Sequence, residues 1–296
     1  MKINHKWLLV ALLFAGISFS CSQKAGKQQS TESDTQLDEF SQKLSTINPG
    51  LKDPAQVTIL LDMAGAEFIP GLVNPLENVD YYAGDPALAA LNLGVYSVDI
   101  AYLVSYEKRE EALVTYERAR KLAASIGFQS AFEHGTFERY KEMAIHPDTL
   151  MKNLTMSAEN LDKEMSSGEN LQNHTLYVTG EFFEKMYIAT QVVKQYPTDL
   201  PEDVRLLLLR EIIIGIAQQE KALDELIEIL SGLVQKERGQ KFLTELNALK
   251  AIYKEANFTE YVKSFQPGQE ATDRGYLTQI TDKVEQIRNE IIATAK

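Results

Sequence analysis

The stretch Asp85–Tyr106, DPALAALNLGVYSVDIAYLVSY, decides the fold class. Asp85 followed by Pro86 is a helix start, because the Asp side chain caps free N–H groups and proline is pre-set for the first helical turn. From 86 to 106 the only charged residue is Asp99. A helix that is apolar nearly all round is surrounded by protein, so this one should be the centre of an all-α core. At about 100° per residue, Asn92, Tyr96 and Asp99 fall within roughly 60° of one another and form one polar stripe. A buried carboxylate must be paired or hydrogen-bonded, since leaving it unmatched costs several kcal/mol. Two readings of the stripe stay open: an internal network that sets helix register, or the lining of a ligand pocket that would include Tyr102. Acid–base catalysis is a third and remoter use.

Working outward, nearly every segment after Leu37 has helical periodicity, and no alternating run nominates a sheet. Asp53-Pro54 starts a helix expected to run to about Phe68, before Ile69-Pro70-Gly71. A loop follows, containing Asn74-Pro75 and Tyr81-Tyr82. Lys108–Ile126 should be the next helix, ended by Gly127 in the left-handed position. Within it, Ala112, Tyr116 and Ala119 match the second helix of a tetratricopeptide repeat, with Tyr96 as the large aromatic of the first. Only one such unit is visible, so 86–126 reads as a helical hairpin. Shorter helices are expected over 130–144 and 148–165.

Long elements occupy the second half. One is expected from about Glu169 to Tyr196, stopped by Pro197, and another from Pro201 to about Val234. Two more span about 238–264 and 270–294, separated by Pro267-Gly268. The helix at 169–196 carries a second stripe, Gly180, Glu184, Tyr187 and Gln191. A mid-helix glycine costs about 1 kcal/mol against alanine, so another backbone is expected to approach Gly180 closely. If this helix packs on 86–106, the two stripes face each other. The last helix sets Leu277, Ile280, Val284, Ile287 and Ile291 at steps of three and four, flanked by Asp282, Lys283, Glu285 and Arg288. That seam suits packing on a bundle, or alternatively a homodimer through the C-terminal helix. The expected architecture is an all-α, multi-helix bundle of antiparallel hairpins. Its parts are shorter hairpins over 36–166 and a long-helix bundle over 167–296, sharing one core.

The N-terminus speaks to location. Lys2 and Lys6 precede an apolar run, Trp7–Ile17, and Ser18-Phe19-Ser20 leads to Cys21, the chain's single cysteine. This is the form of a secretory leader over 1–20. A cysteine directly after the cut resembles the lipobox of bacterial lipoproteins, which implies that Cys21 carries lipid. Residues 21–35 are polar and unpatterned, as in a flexible tether. With Lys2 and Lys6 removed, 28 basic residues face 42 acidic ones, near −14. Such a balance argues against a nucleic-acid grip and a polybasic hold on anionic lipid. No mature segment is expected to span a bilayer: the most apolar, Leu206–Ala217, has about twelve residues and is split by Arg210-Glu211. A lipidated Cys21 leaves no thiol for a disulfide, a zinc site or a nucleophile. His134, His146 and His174 show no metal-ligand spacing, and no phosphate loop or serine-nucleophile motif occurs. No cofactor is expected.

The segments LNLGVYSVDIAY (91–102), KLAASIG (121–127) and MYIATQ (186–191) resemble an uncharacterised family of all-helical envelope lipoproteins of Bacteroidetes-type bacteria. The resemblance implies a helical fold and an envelope location, and brings no activity. The combined expectation is a non-catalytic binding or scaffolding protein, hung by lipid from a membrane. The outer membrane, facing the periplasm, is favoured. It would hold a peptide, a protein or a small apolar ligand at Asn92, Tyr96, Asp99, Tyr102, Glu184, Tyr187 and Gln191. The alternative is an envelope enzyme with Asp99 or Glu184 as general base.

Overall fold

The computed structural model describes residues 54–132, 156–157, 159–161, 163–165, 170–233, 237–257 and 275–294. The leader, Cys21, the tether, His134, His146 and most of the helices expected over 130–165 lie outside the described residues. Among those described there is no strand. The helices are α1 (Pro54–Met63), α2 (Val79–Ala83), α3 (Pro86–Ser105), α4 (Arg109–Ser125), α5 (Leu171–Gln195), α6 (Glu202–Ala217), α7 (Glu220–Leu233), α8 (Glu237–Ala256) and α9 (Tyr276–Ile292). Short 3-10 turns occupy Leu76–Asn78 and Gln129–Phe132. The chain is an all-α helical bundle.

Its axis is α3. The Asp85 side chain accepts from the N–H groups of Ala87 and Leu88 at 2.8 and 3.2 Å, with Pro86 in the first turn, as the sequence signals. By length and composition α3 could cross a membrane, and in this it surpasses Leu206–Ala217. Yet 83% of its most apolar window is buried inside the protein, which is the role that an all-round apolar helix plays in a core. The most extensive helix–helix packing is α3 on α5, then α3 on α4, then α9 on α5. Gly94 and Gly180 explain the first. A Cβ on Gly94 would run into the Tyr177 carbonyl, and one on Gly180 into the Leu91 carbonyl. The two backbones therefore touch at reciprocal glycines, and the close approach expected at Gly180 is α3 itself.

Helix ends follow local chemistry, and they correct several expected boundaries. Helix α1 stops at Met63, five residues short of Phe68. Gly65 (φ 62°) turns left-handed, and the N–H groups of Gly65 and Ala66 close on the carbonyls of Asp62 (2.9 Å) and Leu61 (3.0 Å). This paired closure is a glycine C-cap. Gly127 (φ 88°) ends α4 in the same way, with the Phe128 N–H on the Ala123 carbonyl at 2.8 Å. Helix α3 ends likewise at Glu107 (φ 60°), a residue with a Cβ in a conformation that favours glycine. The helix expected from 201 to 234 is two, α6 and α7. Gln218 and Gln219 form a turn between them, and Gln219 folds its amide back onto the Gly215 carbonyl at 2.9 Å. Nothing in the composition of 218–219 marks that break. Helix α8 ends at Ala256, with Asn257 left-handed at φ 43°. The loop expected to hold Tyr81-Tyr82 contains α2 instead.

One hydrophobic core joins residues from Leu61 in α1 to Ile291 in α9. Ile280, Val284, Ile287 and Ile291 are all buried in it, and Leu277 packs against its edge. The apolar seam of the last helix is therefore covered within the chain, by α5, α8 and α3. A homodimer through α9 would have to use the helix's polar side.

Candidate functional site

The polar stripe of α3 is a seat for the segment between α1 and α2. This irregular stretch, 64–75, has backbone groups that no helix satisfies, and buried side chains answer them. Tyr102 Oη accepts from the Ile69 N–H at 2.9 Å, and Tyr96 donates its hydroxyl to the Pro75 carbonyl at 3.0 Å. Tyr106 donates to the Ala66 carbonyl at 2.8 Å, and Tyr196, just past α5, to the Ala64 carbonyl at 2.6 Å. Asp99 Oδ2 accepts from the Asn74 N–H at 2.9 Å, and the Asn74 side chain donates to Asn92 Oδ1 at 3.0 Å. The groove that the stripe would offer a ligand is thus filled by the protein's own chain. Asn92, Tyr96 and Asp99 are 0% exposed, and Tyr102 is 1% exposed.

The α5 stripe meets it from the other side. Glu184, also fully buried, faces Arg288 of α9 in a two-pronged ion pair: Nε to Oε2 at 2.9 Å and Nη2 to Oε1 at 3.1 Å. The same Nη2 donates to the Leu72 carbonyl at 2.9 Å. The guanidinium lies over the Tyr187 ring, 4.5 Å from its centre. Gln191, further along α5, donates to Glu285 Oε2 at 3.0 Å, which Lys194 also reaches at 3.1 Å. The end of α9 is held too, since Tyr82 donates to the Ile292 carbonyl at 2.7 Å and Asn92 to the Ile291 carbonyl at 3.2 Å. These bonds answer carbonyls that a helix C-terminus leaves open.

The electrostatics match a closed site. Burial pushes the Asp99 carboxyl well above the usual carboxylate range, and the neighbouring Glu184 pushes the same way, against Arg288 and the Asn74 N–H. Burial alone would pull the Arg288 guanidinium down; Glu184 outweighs it and holds Arg288 above its ordinary value. The hydroxyls of Tyr96, Tyr102 and Tyr187 are all raised, chiefly by burial.

Asn92, Tyr96, Asp99, Tyr102, Glu184 and Tyr187 are buried between α3, α5 and α9, and the two stripes face each other; Gln191, though buried itself, turns to Glu285 and Lys194 at the surface. Sequence reasoning missed Asn74, Tyr82 and Arg288. The signal for Arg288 was its register: it lies four residues after Val284 and three before Ile291, within the apolar seam and not beside it. Nothing in the Asn74-Pro75 turn foretells its partner.

Among the described residues, no group of three His, Cys, Asp or Glu side chains is placed to hold a metal ion. A separate, open cleft of about 270 Å³ lies between α5, α6 and α9. Leu206, Leu209, Ile213 and Leu277 give it an apolar lining, and Arg205 and Asp282 carry charge into it. None of the seven stripe residues lines it.

The fold and its buried assembly define an all-α bundle locked around an internal ionic network. No family model, no curated protein and no solved structure matches the chain.

Proposed function

We propose that this chain is a lipid-anchored helical protein of the bacterial cell envelope that binds or scaffolds a partner without catalysis. The observation that carries the non-catalytic reading is the closure of the α3–α5 stripes. A general base must come within hydrogen-bond reach of its substrate, and Asp99 and Glu184 are instead buried against Asn74 and Arg288. This closure weighs against the enzyme alternative, in which one of these two carboxylates would be the base. The anchor rests on Cys21 after its apolar leader, and on the resemblance to helical envelope lipoproteins. An acidic body suits this arrangement, because the lipid does the holding while the protein stays in solvent. The open cleft, lined by both apolar and charged side chains, has the character of a small binding site for a peptide, a protein segment or an apolar molecule.

The test is to express the full chain in a bacterial host with labelled palmitate and fractionate the cells. Label should enter the wild-type protein, and the protein should sediment with membranes. The Cys21→Ala variant should lose both. Equal membrane association of the two forms, without label in either, would overturn the proposal.

A further inference from the structure

Among the described residues eight large hydrophobic side chains are exposed, and five of them lie on α1 and α6. Ile59 and Met63 stand one turn apart on α1, 56% and 64% exposed. Val204, Leu207 and Leu208 share one face of α6, where Leu207 is 69% exposed. The other three, Tyr81, Val114 and Met156, belong to separate segments. The exposed face of α6 is distinct from the cleft, which takes Leu206, Leu209 and Ile213. The two exposed sets lie at the same end of the bundle. Helix α1 packs on α6, with Leu60 against Gly215. Tyr196, at the end of α5, donates to the Ala64 carbonyl next to Met63. The first half of α6 begins a few residues after Tyr196, and the cleft sets Glu202 and Arg205 beside Val193 and Lys194 of α5. Single apolar side chains are ordinary on a surface, but a cluster at one end marks a contact.

What meets this end follows from the chain that leads into it. Helix α1 is the first described helix after Cys21, and Pro54 follows that cysteine by 33 residues. A chain extends at most about 3.3–3.6 Å per residue, so a lipid on Cys21 keeps α1 within on the order of 110 Å of the bilayer. Tethering makes a second contact with the membrane intramolecular, and a few side chains then hold where they would be too weak from free solution. A protein partner has no such advantage. Charge selects the lipid. Helix α6 carries Glu202, Asp203 and Glu211 against Arg205 and Arg210, and α1 adds Asp62, so this end offers no basic hold on anionic headgroups.

We propose, on the lipid-anchored reading above, that Ile59, Met63, Val204, Leu207 and Leu208 enter the headgroup–acyl boundary of a zwitterionic bilayer. The bundle then lies against the membrane with this end down, and its acidic remainder faces water. Apolar side chains on a helix lying in that plane gain by leaving water, while the charged residues beside them stay among the headgroups.

Tryptophan fluorescence tests this, because the chain's single tryptophan, Trp7, lies in the leader. The full chain carrying Leu207→Trp is expressed in a bacterial host, purified and reconstituted into phosphatidylcholine vesicles. The intact mass of the same sample reports leader removal and lipid on Cys21. Emission should move to the blue, and most of it should be lost when the lipid acyl chains are brominated just below the headgroups. Met63→Trp, on the other helix, should behave alike and serves if Leu207→Trp does not fold. Val114→Trp, on α4, should keep its emission. Adding Leu208→Lys to Leu207→Trp should undo most of the quenching. Lipidated protein whose Leu207→Trp and Met63→Trp emission ignores the bromine overturns the inference and leaves the anchor standing. A blue shift without bromine quenching gives this end to a protein partner or a second copy, and overturns it too. So does equal quenching at Val114→Trp. An unmodified Cys21 overturns the anchored reading and this inference together.

Discussion

Removing the Arg288 side chain would leave Glu184 buried with neither oxygen answered and Leu72 without its donor. Breaking a buried pair by deleting one partner costs about 3–5 kcal/mol, whereas replacing both by apolar groups of similar volume is often close to neutral. Arg288→Met should therefore lower the unfolding free energy from urea denaturation by that amount, and Glu184→Leu combined with Arg288→Met should recover most of the loss. A double variant no better than the single would mean that Asp99 and Leu72 also depend on the guanidinium. Glu107 makes the opposite case. Its left-handed backbone (φ 60°) costs a residue with a Cβ about 1–2 kcal/mol, of which glycine's extra unfolded freedom returns roughly 0.5–1. Glu107→Gly should raise stability by about 0.5 kcal/mol, read from the same denaturation curves. A loss would mean that the Glu107 side chain contributes more than its backbone strain costs.

At the scale of elements, the α3–α5 crossing depends on two missing methyl groups. Glycine to alanine inside an ordinary helix gains about 1 kcal/mol. At Gly94 and Gly180 the sign should reverse, because the added carbon meets a backbone carbonyl of the facing helix and neither can rotate away. Overpacking of this kind costs about 1–3 kcal/mol, and a backbone obstacle puts each variant at the upper end. Circular dichroism during thermal unfolding would show it as a lower Tm for Gly94→Ala and Gly180→Ala alike. Helix α3 also depends on its cap. Asp85→Ala removes two side-chain bonds to free N–H groups and should cost about 1 kcal/mol. The cap and the all-round apolar character of α3 are local properties, readable residue by residue. The end of α1 is also local, set by Gly65, although Pro70-Gly71 a few residues later is the more conspicuous stop signal in the sequence. The break at 218–219 carried no such mark, since its glutamine turn is held by contacts that only the folded bundle supplies.

At the scale of the molecule, α9 closes a core that begins at α1. Its apolar residues are covered by α3, α5 and α8. A chain ending at Phe265 should therefore expose apolar surface, bind a hydrophobic dye and lose its cooperative unfolding transition. If α9 instead served an interface between copies, the shortened chain would remain a well-folded monomer in sedimentation. Composition and periodicity determined the helical class, the central place of α3 and the company of Asn92, Tyr96 and Asp99, because these follow from spacing along one helix. They also marked Cys21 as the residue on which an envelope location would rest. What fills the stripe was decided only in three dimensions. Asn74 lies 25 residues from Asp99, and Arg288 lies 104 from Glu184. A periodic pattern reports which face of a helix is buried, but not which distant loop or side chain will come to rest against it.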